Sequence, residues 1–305
     1  MIRKTIKHRL LAATFMGLAV AAAPLGGLRN AYAVDTQAHD FLPLPAGTNI
    51  VLGYYVLGNY EEYDPVGAPP IKNNTHVQAQ VGIARYVRYY DISNIRFLTS
   101  IYQVFGGYSD ARIGGTELQT PGVQLGDLSI DTFAWAINNP DKGQYWALGG
   151  YIHIPDGNWN RNVATNLGDN RFSGTVQTGY IQRLAPKLDT ELVADATFYG
   201  NNTQAAISGG TLSEQPSYEG QMWLNYKFTP VDTGSFGFTG NFGGYSSVDG
   251  VATGNKTESE EIRLSGSHFF VKPGVQAMVE LVHDLHVVGG FNENFGMMVR
   301  IAKVF

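Results

Sequence analysis

The chain has 305 residues, with 21 Lys or Arg against 26 Asp or Glu, and a formal net charge of −5 at pH 7. That acidic balance argues against a nucleic-acid partner, which requires a basic surface. The absence of cysteine excludes disulfides and thiolate metal sites. The 37 glycines and 12% aromatic residues favour strands and tight turns over a helical protein.

The start of the chain has the layout of a secretory signal peptide. Basic residues precede an apolar run over residues 10–23, and Ala31 and Ala33 supply the small residues of a cleavage site. The apolar run is shorter than the roughly 20 residues of a spanning helix, which disfavours a membrane anchor. We therefore predict that residues 1–33 are removed after export.

The rest of the chain is dominated by a period of two. Apolar and aromatic residues alternate with polar ones in segments of about ten residues separated by turn residues, which is the signature of a transmembrane barrel wall. We predict an all-β fold, a transmembrane antiparallel up-and-down β-barrel of about twelve strands. In chain order, the predicted strands lie near 49–57, 75–89, 95–105, 126–137, 145–154, 171–184, 188–199, 217–228, 235–243, 259–270, 275–286 and 294–305.

Loop lengths distinguish this barrel from a soluble β-sandwich, which also alternates. Connections after even-numbered predicted strands are short, as at 185–187, whereas most of the others are long, as at 106–125 and 200–216. Short periplasmic turns, long outer loops and an even strand number are typical of outer-membrane barrels. We predict a short periplasmic segment over 34–48 and a barrel over 49–305, with ten or fourteen strands as alternatives.

The last predicted strand ends on an aromatic residue. Val299, Ile301 and Phe305 share one face, and Arg300 lies on the other. This end resembles the closing strand of bacterial outer-membrane barrels, whose terminal aromatic is read by the barrel-assembly machinery. Lys303 departs from that pattern, but a lysine at the rim can extend its ammonium to the headgroups. We expect outer-membrane lipids and the assembly machinery as partners. The predicted assembly signal consists of Val299, Ile301 and Phe305.

Polar residues on the inward faces are the candidate lining of the lumen. A charge on the lipid face costs about 2–4 kcal/mol at the bilayer midplane, so these residues are expected to face inward. The candidates are Gln177, Arg183, Asp189, Glu191, Asp195, Glu219, Gln221, Asn225, Lys227, Arg263, Glu280 and Asp284. Two interpretations stay open: a network of paired charges that fills a narrow barrel, and a polar conduit that selects solutes.

Catalytic and metal-binding patterns are absent from the sequence. There is no G-x-S-x-G elbow, P-loop or dinucleotide fingerprint. His283 and His286 are three residues apart on a predicted strand, so they face opposite ways and do not form a metal pair. Glu258, Glu260 and Glu261 are more typical of a solvated loop than of a cation site. We predict no catalytic residue, no metal and no cofactor.

Several motifs after the leader are shared with a known family. They are Asp40–Asn49, Gly126-Asp127, Trp135, Asn139-Pro140, Pro155–Trp159, Asn166–Arg171, Gln177, Gly179-Tyr180, Asp189–Asn202 and Thr211–Tyr218. In these motifs the chain resembles the MetA-pathway of phenol degradation family of outer-membrane proteins. It departs at Asp156, where the family tends to have threonine. The resemblance implies a channel or transporter associated with the breakdown of aromatic compounds, and it implies no catalytic residues.

We expect a protein of the Gram-negative outer membrane that passes small aromatic or hydrophobic solutes by passive diffusion through a polar lumen, and that is not an enzyme. Two alternatives stay open. One is an outer-membrane enzyme acting on lipid, which the lack of a serine–histidine pair disfavours. The other is a structural or adhesive barrel whose long outer loops carry the function.

Overall fold

The computed structural model describes residues 35–205, 207, 209–272 and 274–305. The predicted signal peptide, with its cleavage residues Ala31 and Ala33, lies outside the described residues. Within the described ranges, no helix is long and apolar enough to cross a membrane.

The described chain is built from strands. In chain order they are β1 (Asn49–Asp64), β2 (His76–Ile92), β3 (Ile95–Ile113), β4 (Thr116–Glu117), β5 (Gln124–Leu125), β6 (Leu128–Asn139), β7 (Gln144–Ile154), β8 (Ser173–Ala185), β9 (Leu188–Tyr199), β10 (Leu212–Glu214), β11 (Ser217–Lys227), β12 (Asp232–Gly243), β13 (Ser246–Val248), β14 (Val251–Ala252), β15 (Thr257–Phe270), β16 (Val275–Val288) and β17 (Gly290–Val304).

Twelve long strands form a closed antiparallel barrel. Each long strand pairs with the long strands on either side of it along the chain, and β1 also pairs with β17, so the sheet of the twelve described long strands closes on itself. Closure is what a sheet in lipid requires, because an unpaired backbone N–H or C=O there has no water to bind. The predicted fold and the strand number of twelve are confirmed.

The largest differences from the predicted strand bounds are at the ends of β1 and β3. The structure extends β1 to Asp64 and β3 to Ile113, past the expected ends at 57 and 105. The predicted long connection began at residue 106, but in the structure Gly106 lies within β3, where a Cβ would overlap the backbone of Gln80 on β2. The glycine therefore allows close strand packing, and the ladder continues through it.

Side chains alternate between lipid and lumen as the period of two predicted. On β11, Met222 and Leu224 are exposed on the outer face, whereas Gln221, Trp223 and Asn225 are buried inside. The same separation holds on β17, where Ile301 is exposed. The barrel therefore presents an apolar surface to the bilayer and keeps its buried polar groups in the lumen.

The lumen has two chemically different sides. The inward faces of β1, β2, β3, β6 and β7 are mainly apolar and aromatic, and those of β8, β9, β11, β12, β15 and β16 carry most of the polar groups. The apolar side includes Leu52, Tyr54, Val56, Val77, Val81, Ile83, Tyr89, Leu98, Tyr102, Phe133, Trp135 and Tyr151. The expectation of a polar lumen therefore describes one side of it.

Candidate functional site

Residues 35–48, which we call the plug segment, lie inside the barrel at its short-turn end. Its Thr36, Ala38 and Phe41 are buried among inward-facing side chains. At the rim, the backbone pairs with β2: the Gly47 N–H donates to the Tyr89 carbonyl at 2.8 Å. The sequence predicted a periplasmic segment here, and the structure brings this segment into the lumen.

Two carboxylates of β9 bind the plug segment, one through its backbone and one through the side chain of His39. The two oxygens of Glu191 accept the N–H groups of His39, at 2.7 Å, and Phe41, at 3.3 Å. Asp189 precedes Glu191 by two positions on the same face of β9. One of its oxygens lies 2.8 Å from His39 Nε2, and the other lies 3.3 Å from Lys227 Nζ. Because hydrogen bonds to a charged acceptor are roughly twice as strong as neutral ones, these contacts fix the segment against one wall.

Two arginines bind the segment from other directions. The guanidinium of Arg300 on β17 donates to Asp40 Oδ1 at 2.7 Å, and Arg96 on β3 donates to the carbonyl of Leu44. These contacts connect the plug segment with strands on both sides of the barrel seam.

The aromatic side of the lumen receives Phe41. Its ring packs edge-on against Phe133 with centroids 5.3 Å apart, and its carbonyl accepts the indole N–H of Trp135 at 2.9 Å. Opposite this ring, Gly179 leaves the space that a Cβ would fill. Phe133 continues to Tyr151 at 5.5 Å, so aromatic rings extend from the plug segment along the wall.

Most of the predicted lining residues are buried in the lumen. Arg263 and Glu280 form an ion pair, with Nη2 2.7 Å and Nε 3.0 Å from the same carboxylate oxygen. The buried members are Gln177, Asp189, Glu191, Glu219, Gln221, Asn225, Arg263, Glu280 and Asp284.

Three predicted lining residues sit less deeply. Asp195 is half-buried and accepts a hydrogen bond from Gln177 at 3.0 Å, and Lys227 is half-buried beside Asp189. Arg183 is exposed at the short-turn rim, where its guanidinium donates to the backbone carbonyls of the 139–144 turn. The structure therefore does not bring Arg183 together with the buried set.

The aromatic side of the lumen also carries charged groups that were not predicted from the sequence. Asp131 is 1% exposed and lies 3.2 Å from the guanidinium of Arg85, which also donates to Ser100 Oγ at 2.9 Å. The alternation along β6 could have indicated that Asp131 faces the lumen, because residues 131, 133 and 135 lie on the same face of the strand and Phe133 and Trp135 are buried.

The outer loops meet in a cluster around Asp127. Its two carboxylate oxygens accept the N–H groups of Gly157, at 3.1 Å, and Asp169, at 2.9 Å. Burial raises the pKa of Asp127 to about 6. The Asp169 carbonyl in turn accepts the side-chain amide of the buried Asn202 at 2.9 Å. Four of the shared sequence motifs therefore converge in this loop cluster, and the Asp40 motif enters the plug segment.

The profile of the MetA-pathway of phenol degradation family matches residues 46–301. The chain belongs to this family. The crystal structure of the COG4313 outer membrane channel from Pseudomonas putida F1 is similar to it, with 26% identity and a TM-score of 0.83 over 89% of this chain and 100% of that chain. With the barrel fold, this similarity places the protein in the bacterial outer membrane.

Other barrels are more distant. The toluene transporter TbuX of Ralstonia pickettii has 10% identity and a TM-score of 0.45 over 93% of this chain and 98% of that one. The NanC porin has 11% identity and a TM-score of 0.45 over 84% and 98%. At these scores the likeness carries no weight for function. Among curated proteins, none matches the chain.

In this member of the MetA-pathway family, the structure also forms a serine–histidine pair that the sequence analysis did not find. Ser129 and His153 are directly opposite on β6 and β7, with Oγ 2.6 Å from Nδ1. The two residues are 24 positions apart, so no local motif signals them. Ser129 is 1% exposed, which leaves its hydroxyl without access for a lipid ester.

The acidic residues near the 244–256 loop separate in the structure. Glu258 is bound by Lys256 and lies 3.6 Å from His286 Nε2, whereas Glu261 is buried in the lumen. His283 is exposed on β16, 2.8 Å from a backbone carbonyl. Within the described ranges, no group of three or more His, Cys, Asp or Glu could hold a metal ion.

Proposed function

We propose that the protein is a channel that passes small aromatic or hydrophobic solutes through the barrel lumen, along the aromatic side. The observation that carries this proposal is the run of inward-facing rings from Phe133 to Tyr151, against which the plug segment packs Phe41. Rings of this kind bind flat apolar solutes by edge and face contacts. The polar side opposite supplies hydrogen-bonding groups for a hydroxyl or carboxylate substituent.

We infer that the plug segment obstructs the short-turn end of the lumen, because its Thr36, Ala38 and Phe41 are buried there among inward-facing side chains. A cavity of about 20 Å³ lies between the plug segment and β15, β16 and β17, which is enough for about one water molecule. Sites for small organic ligands have volumes of roughly 300–1,000 Å³. We infer that the plug segment shifts for a solute to pass.

Proteoliposome flux tests the proposal. Benzoate and hexanoate carry the same charge but differ in the ring, so uptake of each is measured with the wild type and with a variant lacking residues 36–44. We expect slow flux through the wild type, faster flux through the deletion, and a preference for benzoate. Absence of flux through both proteins would overturn the channel proposal.

A matched pair of variants tests the aromatic side itself. Phe133→Leu removes a ring from the lumen, whereas Phe236→Leu removes one from the lipid face, where it is 49% exposed. We expect the benzoate preference to fall in the first variant alone. Equal preference in both variants would place the solute path elsewhere in the lumen.

The pair Ser129–His153 is the observation that favours the alternative of a lipid-acting enzyme. Purified protein is therefore assayed for release of fatty acid from phospholipid vesicles, together with Ser129→Ala. We expect no release by either protein, because the hydroxyl is buried. Release by the wild type that disappears in Ser129→Ala would replace the channel proposal by a hydrolase.

A further inference from the structure

The plug segment sets a carboxylate against a buried arginine of the wall. Arg300 on β17 is 5% exposed, and its Nη1 donates to Asp40 Oδ1 at 2.7 Å. Its Nη2 donates to the side-chain oxygen of Gln276 at 3.0 Å, whereas its Nε is buried and has no hydrogen-bond partner among the described residues. A guanidinium can donate two parallel hydrogen bonds to one carboxylate. Arg300 therefore has more capacity for a carboxylate than the single oxygen of Asp40 uses.

Aromatic rings extend from this arginine along the wall. The guanidinium carbon of Arg300 lies 6.0 Å from the centroid of the Tyr54 ring. Tyr89 interacts electrostatically with both Asp40 and Arg300. The ring centroid of Tyr89 lies 5.9 Å from that of Trp135. A buried guanidinium beside aromatic rings is an environment that suits an aromatic ring bearing a carboxylate.

The plug segment itself presents both groups of such a ligand. Asp40 supplies the carboxylate, and the following residue, Phe41, supplies a ring that packs edge-on against Phe133 with centroids 5.3 Å apart. Because consecutive Cα atoms are 3.8 Å apart, the two groups enter the lumen together. The segment thereby occupies the cationic and the aromatic parts of the wall at once.

Movement of the plug segment would take away the counter-ion of Arg300. In the described part of the chain, the ion pair of this arginine is the one with the plug segment. The neighbouring wall carboxylates have their own partners, since Asp131 lies 3.2 Å from Arg85. Likewise, Glu280 lies 2.7 Å from Arg263. A buried charge that loses its partner is strongly destabilising. A solute anion would restore the pair, and a neutral solute would not.

We propose that Arg300 binds the carboxylate of a small aromatic acid, and that Asp40 occupies this site when no solute is bound. The inference rests on the proposed channel function and names the solute class within it, the monoanionic aromatic carboxylates. The carboxylate of the solute replaces Asp40 on the guanidinium, and its ring packs against Tyr54 and Tyr89. Binding of the solute thereby removes one of the contacts that keep the plug segment in the lumen.

Equilibrium binding to the detergent-purified barrel tests the proposal. Benzoate and benzyl alcohol have the same ring and a similar size, but only benzoate is charged at neutral pH. The Kd of each is measured by isothermal titration calorimetry with the wild type and with Asp40→Asn, which keeps the side-chain size and removes the competing charge. We expect Asp40→Asn to lower the Kd of benzoate about tenfold or more and to leave that of benzyl alcohol unchanged. A side chain that only latched the plug segment would change both values by the same factor, and that result would overturn the proposal.

Arg300→Gln removes the proposed anion-binding group. We expect it to raise the Kd of benzoate about tenfold or more, whereas Arg183→Gln, at the exposed short-turn rim, should not change it. If Arg300→Gln does not fold, as judged by heat-modifiability on a gel, the double variant Asp40→Asn/Arg300→Gln takes its place, because it removes both charges of the pair together. The double variant is compared with Asp40→Asn alone. Equal affinity for benzoate with and without the arginine would overturn the proposal.

Binding and flux distinguish this site from the channel function. Benzoate binding that depends on Arg300, in a barrel that passes no solute in proteoliposomes, would support the carboxylate site and overturn the channel. Flux of benzoate without binding at Arg300 would overturn the carboxylate site and leave the channel.

Discussion

Glu191 is the wall side chain that accepts two backbone N–H groups of the plug segment. It is fully buried, and each of its oxygens accepts an N–H of that segment. A neutral amide at this position would offer one acceptor and one donor. The backbone of His39 and Phe41 presents two donors, so the carboxylate is the group that satisfies both.

Glu191→Gln should therefore loosen the plug segment. The substitution keeps the size of the side chain but turns an –NH2 group toward a backbone N–H, a loss of about 1.5–3 kcal/mol for a charged hydrogen bond. The chain has no cysteine, so Ala38→Cys introduces a single thiol at a buried position of the segment. We expect maleimide to label this thiol about ten to a hundred times faster when Glu191→Gln is added.

Glu117→Gln serves as the control for this experiment. Glu117 is exposed on β4, far along the chain from the plug segment, and the charge change is the same. Labelling of the introduced thiol should be unchanged by it. Equal rates in the two backgrounds would contradict the role of Glu191.

At the scale of elements, the plug segment packs closely against β8 because β8 has a glycine at the point of contact. Gly179 faces the lumen, and the ring of Phe41 fills the space above it. Any larger residue in this strand position would compete with the ring. The fit links a glycine of the wall to the position of the segment, although the two are far apart in sequence.

Gly179→Ala should displace the plug segment while the barrel remains folded. The added methyl overlaps the Phe41 ring, and overpacking of this kind costs about 1–3 kcal/mol. We expect a higher open probability in planar bilayers. Gly220→Ala is the matched control, because a Cβ there projects from the outer face of β11 and meets no atom within 4 Å. A closed Gly179→Ala channel would contradict the proposed fit.

The strands were predictable because their alternation is imposed residue by residue by lipid on one face and the lumen on the other. The apolar side of the lumen was not predictable, because β2 departs from the expectation that apolar residues face lipid and polar residues face the lumen. There Val77, Ala79 and Val81 are buried, whereas Gln80 is exposed. On β2 the apolar residues therefore face the lumen, and a polar residue is no longer evidence for an inward position.

The plug segment could not be predicted for a different reason. Residues 35–48 have no strand or helix periodicity, and their partners are remote in sequence: His39 and Glu191 are 152 positions apart. Nothing local indicates such a contact. The alternation along the strands predicts which polar residues of the opposite wall face the lumen. It does not predict that Glu191 binds backbone N–H groups.

At the scale of the molecule, the barrel exists because its two outermost strands meet. The seam runs from Ile50 opposite Val304 to Asp64 opposite Gly290. At its short-turn end, the Asn49 N–H donates to the Phe305 carbonyl at 2.9 Å, and the Phe305 N–H donates to the Asn49 carbonyl at 3.0 Å. These bonds involve backbone only, so the Phe305 side chain is not needed to complete the ladder.

Phe305→Ala should therefore impair assembly of the barrel without lowering the stability of the assembled protein. The ring is 61% exposed toward lipid, and its loss leaves the seam hydrogen bonds intact. We expect a severalfold lower yield of the heat-modifiable band in outer membranes, through weaker recognition by the assembly machinery, but an unchanged unfolding midpoint in denaturant for the protein that does assemble. Lys303→Tyr should leave both quantities unchanged, and Phe236→Ala controls for loss of a lipid-facing ring elsewhere. A normal yield for Phe305→Ala would show that the terminal ring is not an assembly signal, whereas a lowered midpoint would assign it to the stability of the wall.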